Sequence, residues 1–184
     1  IFERYEKASM YVRSDDNGAT WTPPINLREA DMTNNQSSHH TIIAKGDYVY
    51  VSYSYRGYHY LKISKDKGLS WKPSRRIMRQ SPGNVTLYKL LPDPNDVTGK
   101  TFYVFGGCFD KAKSTNAGES FIDIATYPIN FNSTPGKVNQ LMIDGKGTEH
   151  LIASLAPISD YSQSDKIDLY YLRFGNQPAP GELN

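Results

Sequence analysis

The sequence SDDNGATW at Ser14–Trp21 returns as SKDKGLSW at Ser64–Trp71, and this repeat decides the fold. In each copy, the short Asp side chain is placed to accept hydrogen bonds from backbone amides of its own turn, and the glycine supplies a positive φ. The Thr or Ser that follows can close the turn through its hydroxyl group. The tryptophan is expected to pack onto the core. The motif therefore predicts a tight turn that ties two strands together.

The interval between these copies is fifty residues, and a partial third copy, STNAGESF at 114–121, begins after another fifty. Segments between the copies alternate with period two and are rich in Tyr and Val, which is typical of strands. The second unit has room for four antiparallel strands, at 39–44, 48–55, 58–64 and 73–80. Four strands in every fifty residues are typical of a β-propeller blade.

The sequence thus predicts an all-β propeller, or propeller segment, with about 3.7 four-stranded antiparallel blades and almost no helix. The segment is single and spans 1–184, with blade units at about 1–30, 31–80, 81–131 and 132–176 and a tail at 177–184. Closed propellers contain four or more blades. We therefore expect further strands, or association between chains, to complete the ring.

The pattern SxDxGx(S/T)W resembles the Asp-box, or BNR repeat, of sialidases and related propellers. The resemblance implies a structural role for Ser14, Asp16, Gly18, Thr20, Trp21, Ser64, Asp66, Gly68, Ser70 and Trp71. In proteins that carry the Asp-box, it joins the third and fourth strands of a blade, on the face away from the active site. We call the turns at 14–21, 64–71 and 114–121 the box turns, and the opposite ends of the strands the far rim.

A functional site is expected on the far rim. Because strands alternate in direction, the turns between second and third strands and the links between blades lie there, and such loops commonly carry binding groups. The predicted catalytic residues are Glu3, Arg4, His40, Arg56, Tyr58 and His59. The predicted substrate-binding residues are Asp31, His39, Arg79 and Asp110.

Three functions stay open at this point. The first is a sialidase-like protein that binds or hydrolyses an acidic glycan, and FERYEKASMYVRS at 2–14 resembles the acid-bearing loop of sialidases, with Glu where Asp is usual. The second is a BNR-type polysaccharide lyase that uses His40, His59, Tyr58 and Arg56. The third is a non-catalytic propeller that binds a glycan or a protein. The sequence leaves open whether the protein is an enzyme; an enzyme would be an exo-sialidase-like glycoside hydrolase.

The charge and composition of the chain limit the classes of partner that it is expected to bind. The formal net charge is +2 with 22% charged residues, so binding to nucleic acid is not predicted. No apolar run has the length of a membrane helix, and no membrane partner is predicted. Three Asn-x-Ser/Thr sites are compatible with a secreted or cell-surface protein. Neither a metal nor a cofactor is predicted, because adjacent His39 and His40 would point to opposite faces of a strand. The expected partners are an acidic carbohydrate and, to complete the ring, a second copy.

Overall fold

The computed structural model describes residues 9–32, 38–56, 58–78, 89–106, 110–126, 137–155 and 168–175. Thirteen strands and their connecting turns make up these residues, and no helix occurs among them. The strands are β1 (Met10–Tyr11), β2 (Ile25–Asn26), β3 (Ser38–Lys45), β4 (Tyr48–Tyr55), β5 (Tyr58–Ser64), β6 (Arg75–Met78), β7 (Lys89–Pro92), β8 (Phe102–Phe105), β9 (Asp110–Ser114), β10 (Ile122–Thr126), β11 (Lys137–Ile143), β12 (Glu149–Leu155) and β13 (Asp168–Phe174). The described part of the chain therefore has no helix that could cross a membrane.

The strands form four antiparallel sheets in which chain neighbours are paired. Sheet 1 contains β1 and β2, sheet 2 contains β3 to β6, sheet 3 contains β7 to β10, and sheet 4 contains β11 to β13. Sheets 2 and 3 confirm the prediction of four-stranded antiparallel units. Within the described residues, sheet 1 holds only the two strands that flank the first box turn.

The first strands of sheets 2, 3 and 4 lie side by side. Strand β3 contacts β7, and β7 contacts β11. Sheets that pack face to face around a common set of first strands have the arrangement of propeller blades around an axis. The described residues therefore form a partial propeller, whereas a closed ring, its blade number and the division into one segment stay predictions.

Strand β4 shows how its sequence, YVYVSYSY, is used on both faces of the sheet. Tyr53 and Val51 pack in a cluster with Tyr11 of sheet 1, and Tyr50 packs with Phe102 of sheet 3. Because a neighbouring sheet covers each face, Tyr50 and Tyr53 are only 1% and 0% exposed. Burial of one such side chain contributes about 1.5–3 kcal/mol. Tyr50 and Tyr53 therefore pack between neighbouring sheets.

The hydroxyl groups of these tyrosines also find partners inside the protein. The Tyr50 hydroxyl donates a hydrogen bond to the Gly99 carbonyl in sheet 3 at 2.8 Å, and the Tyr53 hydroxyl donates to Ser74 Oγ at 3.0 Å. Burial raises the pKa of Tyr53 to about 12, so this hydroxyl stays protonated at neutral pH. A buried polar group that keeps a partner avoids the cost of desolvation.

The three box turns are built in the same way. In the first, Ser14 Oγ accepts a hydrogen bond from the Gly18 amide at 2.7 Å, and Asp16 Oδ1 accepts one from the Thr20 amide at 2.8 Å. The matching distances are 2.8 and 2.9 Å in the second turn and 2.8 and 2.9 Å in the third, where Asn116 replaces the Asp. Each glycine and the residue before it have positive φ, as the central residues of a type I′ turn do.

The second and third box turns lock neighbouring sheets together. Tyr11 of sheet 1 lies directly against Gly68 and makes an edge contact with the Trp71 ring at 4.9 Å between ring centroids. Leu61 and Ile63 of sheet 2 lie in the same way against Gly118. A Cβ on Gly68 would collide with the Tyr11 hydroxyl group, whereas a Cβ on Gly118 would make tight contacts of 3.0 Å with the side-chain ends of Leu61 and Ile63. The glycines therefore serve both the turn and the close approach between sheets.

The prediction that Trp21 packs onto the core is wrong. This side chain is 61% exposed, and its Nε1 donates a hydrogen bond to the Gly18 carbonyl of its own turn at 3.2 Å. Trp71 is covered because Tyr11 of the preceding sheet lies on it. No sheet of the described residues precedes the first box turn in the arc, so Trp21 has no such cover.

Candidate functional site

A cavity of about 330 Å³ lies between sheets 1 and 2. This volume lies within the range of small ligand sites and holds one large side chain. Most of its lining is apolar. The lining residues are Ser9, Met10, Tyr11, Leu27, His40, Thr41, Ile42 and Val51.

The chain directions place this cavity toward the far rim. Strand β1 runs from Ser9 toward the first box turn, so Ser9 lies at the end away from that turn. Strands β3 and β5 both pair antiparallel with β4 and therefore run in the same direction. Because β5 ends in the second box turn, His40 near the start of β3 lies at the opposite end. The cavity thus opens where sequence reasoning predicted a site.

Among the residues that the structure describes, His40 is the one predicted catalytic residue that lines this cavity. Its Nε2 lies 2.8 Å from Ser9 Oγ, and its ring stacks on Tyr53 with 6.3 Å between centroids. These two contacts hold the imidazole at the boundary between sheets 1 and 2. Ser9 and His40 thus place polar groups in a mostly apolar cleft, which is a common composition for sites that orient a ligand.

The cavity also borders a strand edge. Among the described residues, β1 pairs only with β2, whereas β5 and β9 hold the same place in their sheets and pair on both sides. Residues of β1, Tyr11 among them, form one wall of the cavity, and Ile42 of β3 forms another. An edge of this kind presents backbone donors and acceptors to an incoming chain.

Two other predicted catalytic side chains that the structure describes, His59 and Tyr58, do not join His40. His59 pairs with Ser54 and lies, buried, on the face of sheet 2 that packs toward sheet 3, whereas His40 lies on the Tyr53 face. Tyr58 is covered by the Arg76 guanidinium, which lies 3.7 Å from its ring centroid. The described structure therefore does not bring the two histidines into one site.

Arg56 and Asp31 are exposed on the far rim. Arg56 has a φ of 49° in the turn after β4, and its guanidinium lies 5.4 Å from the Tyr55 ring centroid. Asp31 lies in the link from sheet 1 to sheet 2 and precedes buried Met32. Neither residue lines the cavity.

The side chains of the remaining predicted residues lie outside the described part of the structure. Glu3, Arg4 and Arg79 lie outside the described residues. His39 lies in β3 and Asp110 begins β9, and their side chains are not described. Their proposed roles in binding or catalysis stay predictions.

Glu29 shows why a polar residue in a far-rim link need not be a ligand. Its Oε1 accepts hydrogen bonds from Lys62 Nζ at 2.5 Å and from the Ser74 amide at 2.6 Å. Partial burial pushes the pKa of Glu29 upward, but these hydrogen bonds outweigh burial and hold the pKa below its usual value. Glu29 therefore ties the link to sheet 2 as a carboxylate.

Sequence reasoning missed the apolar part of the cavity. Ser9, Leu27 and Ile42 belong to three separate segments and carry no motif. The 55% exposure of Ile42 in a first strand becomes visible only in the folded structure, so no local pattern in the sequence pointed to it. Among the described residues, no group of three or more metal-ligating side chains occurs.

Comparison with known proteins gives the fold alone. No protein family model and no curated protein matches the sequence. The solved structure "YCF48 bound to D1 peptide" has a TM-score of 0.53 and 14% identity, over 82% of this chain and 44% of that chain. YCF48 from Cyanidioschyzon merolae has a TM-score of 0.53 and 16% identity, over 91% of this chain and 50% of that chain. The chain therefore spans about half the length of these propeller proteins.

Proposed function

We propose that this protein is a non-catalytic propeller that binds an extended peptide of a protein partner on the far rim, between sheets 1 and 2. The observation that carries the proposal is the cavity beside the inner edge of β1. Strand addition to a sheet edge is a common way to bind peptides, because the backbone supplies affinity and side-chain pockets supply specificity. The box turns support membership of the Asp-box superfamily, with a structural role.

The lining of the cavity defines the peptide. Tyr11, Leu27 and Ile42 favour an apolar side chain, and burying one such side chain contributes about 1.5–3 kcal/mol. Ser9 and His40 offer polar atoms at the same place. Side chains of a bound strand point alternately toward and away from the cavity. We therefore expect the peptide to need an apolar residue at the position that enters the cavity and to accept many residue types at the next position.

The comparison with YCF48 supports a protein partner. The printed description of one such structure names a bound D1 peptide. At 14% identity this similarity supports a shared fold only. The peptide that this protein binds is therefore not inferred from the peptide bound by YCF48. Binding of an acidic glycan, and sialidase or lyase chemistry, has no comparable support, because His40 and His59 lie on opposite faces of sheet 2.

Peptide binding can be tested by selection from a display library of random peptides on the full chain. The binding constants of the enriched peptides would then be measured by fluorescence anisotropy. Ile42→Arg places a charge in the cavity and is expected to weaken binding by about tenfold or more, since it opposes burial of an apolar side chain. A peptide with N-methyl groups on alternate amides is expected to lose binding, because it cannot pair with β1.

Val97→Arg is the matched control, because Val97 is exposed in a turn of sheet 3 that lies away from the cavity. Binding should be unchanged in this variant. Failure to enrich any peptide, or equal affinity of the parent and Ile42→Arg, would contradict the proposal. Turnover of a fluorogenic sialoside that disappears in His40→Ala would instead establish the glycosidase hypothesis.

A further inference from the structure

The outer face of sheet 4 is apolar and exposed. Tyr171 is 61% exposed and Met142 54%, and Arg173 is exposed beside them. The opposite face of this sheet packs against sheet 3 through Leu141, Leu151 and neighbouring residues. Sheet 4 is thus covered on one side only within the described structure.

The residues on this face match those that hold a box turn elsewhere in the chain. Tyr171 and Arg173 are the fourth and sixth residues of seven-residue β13, the places that Leu61 and Ile63 hold in seven-residue β5. Leu61 and Ile63 are the residues that lie against Gly118 of the third box turn. Tyr171 and Arg173 therefore occupy the strand positions from which β5 contacts the box turn of the next sheet.

The residue types of Tyr171 and Arg173 also match a pair that contacts a box turn within this chain. Tyr11 and Arg13 of sheet 1 have the same Tyr-x-Arg spacing as Tyr171 and Arg173. Tyr11 lies against Gly68, and Arg13 Nη1 donates a hydrogen bond to the Lys67 carbonyl at 3.2 Å. One pair thus already holds the second box turn by ring contact and by a bond to its backbone.

The Tyr171 side chain is held in place before any partner arrives. Its hydroxyl lies 2.7 Å from His150 Nδ1, and the two rings stack with 6.1 Å between centroids. His150 Nε2 in turn lies 3.3 Å from Asp144 Oδ2. An aromatic anchor whose conformation is fixed loses less entropy on binding.

The complementary surface lies at the other end of the arc. The first box turn exposes Trp21, and Met10 and Val12 of sheet 1, which alternate with Tyr11 along the chain, are exposed as well. Its second-turn counterpart, Trp71, is covered by Tyr11. Within the described residues, the first box turn therefore has no Tyr-x-Arg pair against it, and the Tyr171–Arg173 pair has no box turn against it.

We propose that the outer face of sheet 4 binds the first box turn of a second copy of this chain. Trp21 of one copy contacts Tyr171 of the other, and Arg173 donates to the Asn17 carbonyl, which corresponds to that of Lys67. The contact is head to tail and continues the packing between sheets within one chain. Such contacts close into a ring when the rotation allows it and otherwise run on as an open assembly.

Sedimentation velocity of the full chain over a concentration series tests this contact. The parent is expected to associate to two or more chains. Trp21→Ala and Arg173→Ala are each expected to weaken association by about tenfold or more, because Trp, Tyr and Arg dominate interface energies. Both side chains are exposed, so thermal unfolding should confirm that the variants stay folded. Leu69→Ala, at the exposed tip of the second box turn, is the control and should associate like the parent.

A mixture of the two variants distinguishes a head-to-tail contact from other modes. The Trp21→Ala chain keeps its sheet 4 face, and the Arg173→Ala chain keeps its first box turn. The mixture is therefore expected to associate where each variant alone does not. A parent that stays monomeric at its highest soluble concentration would overturn the proposal. So would variants that associate as tightly as the parent, or two folded monomeric variants that fail to associate when mixed.

Discussion

The carboxylate of Asp66 accepts three hydrogen bonds inside its own turn. They come from Ser70 Oγ at 2.5 Å, Ser64 Oγ at 2.7 Å and the Ser70 amide at 2.9 Å. The bond from the Ser70 hydroxyl is the largest cause that lowers the pKa of Asp66 to about 2. In the first box turn, the hydrogen bond from the Thr20 hydroxyl has the same leading effect on Asp16, whose pKa is also lowered to about 2. Both carboxylates are used within the turn, which supports a structural role.

These lowered pKa values predict how stability depends on pH. A carboxyl group whose pKa is lower in the folded state favours folding above its ordinary pKa and loses that effect as pH falls through the folded value. We therefore expect the free energy of unfolding to fall between about pH 5 and pH 2. Asp66→Asn should make this fall shallower, because an amide oxygen still accepts from Ser70 but does not titrate. Chemical unfolding across the pH series measures both.

The third box turn supplies the reciprocal variant. Asn116 already accepts from the Ser120 amide at 2.9 Å, and its Nδ2 donates to Ser120 Oγ at 2.8 Å. Asn116→Asp should fold and should make the loss of stability in acid steeper. The same pH slope in Asp66→Asn, Asn116→Asp and the parent would contradict the account of the box carboxylates.

At the scale of elements, the second and third box turns are also contacts between sheets. Gly68 has a φ of 84° and receives Tyr11 of sheet 1, whereas Gly147 has a φ of 79° but nothing within 4 Å of the place where a Cβ would lie. The two glycines thus share the backbone conformation and differ in the contact. Substitutions at these two glycines therefore distinguish the free-energy cost of the turn conformation from the free-energy cost of disturbing the contact between sheets.

We expect Gly147→Ala to lower the free energy of unfolding by about 1–2 kcal/mol, which is the cost of a left-handed residue with a Cβ. Gly68→Ala should cost about 1–3 kcal/mol more, because the methyl group must displace Tyr11. Urea unfolding of the two variants measures the difference. Equal losses in both would show that the turn, and not the contact between sheets, accounts for the glycine.

The strands and box turns were predictable because their signals are local. Alternation in β4 and the fifty-residue spacing of the turns each depend on residues near one another in sequence. The exposure of Trp21 was not predictable in this way, because it depends on what precedes the turn in space. The cavity lining was missed for the same reason: Ser9, Leu27 and Ile42 meet only after sheets 1 and 2 pack.

The placement of the candidate residues was only partly predictable. Strand direction placed His40 toward the far rim and at the cavity. The pairing of Ser54 with His59 then decides that the second histidine faces sheet 3, and this register follows from the turn between β4 and β5. Sequence spacing alone grouped the two histidines because it does not show which face each occupies.

At the scale of the whole molecule, the described sheets form an arc with two rims, and the sheets at its two ends each have an exposed face. The box turns occupy one rim, where they fasten sheet to sheet, and the cavity with His40 opens toward the other. The ends present the first box turn and the outer face of sheet 4. Structural and recognition roles are thereby divided between different parts of the arc, so loss of one need not affect the other.

A crystal structure of the full chain with a selected peptide would test directly whether the far rim binds a peptide. We expect a peptide in extended conformation between β1 and β3, with backbone hydrogen bonds to the inner edge of β1 and a side chain in the cavity beside His40. The box turns should lie on the opposite rim, with Trp71 under Tyr11. A peptide bound against the box turns, or box turns on the same rim as His40, would contradict the account.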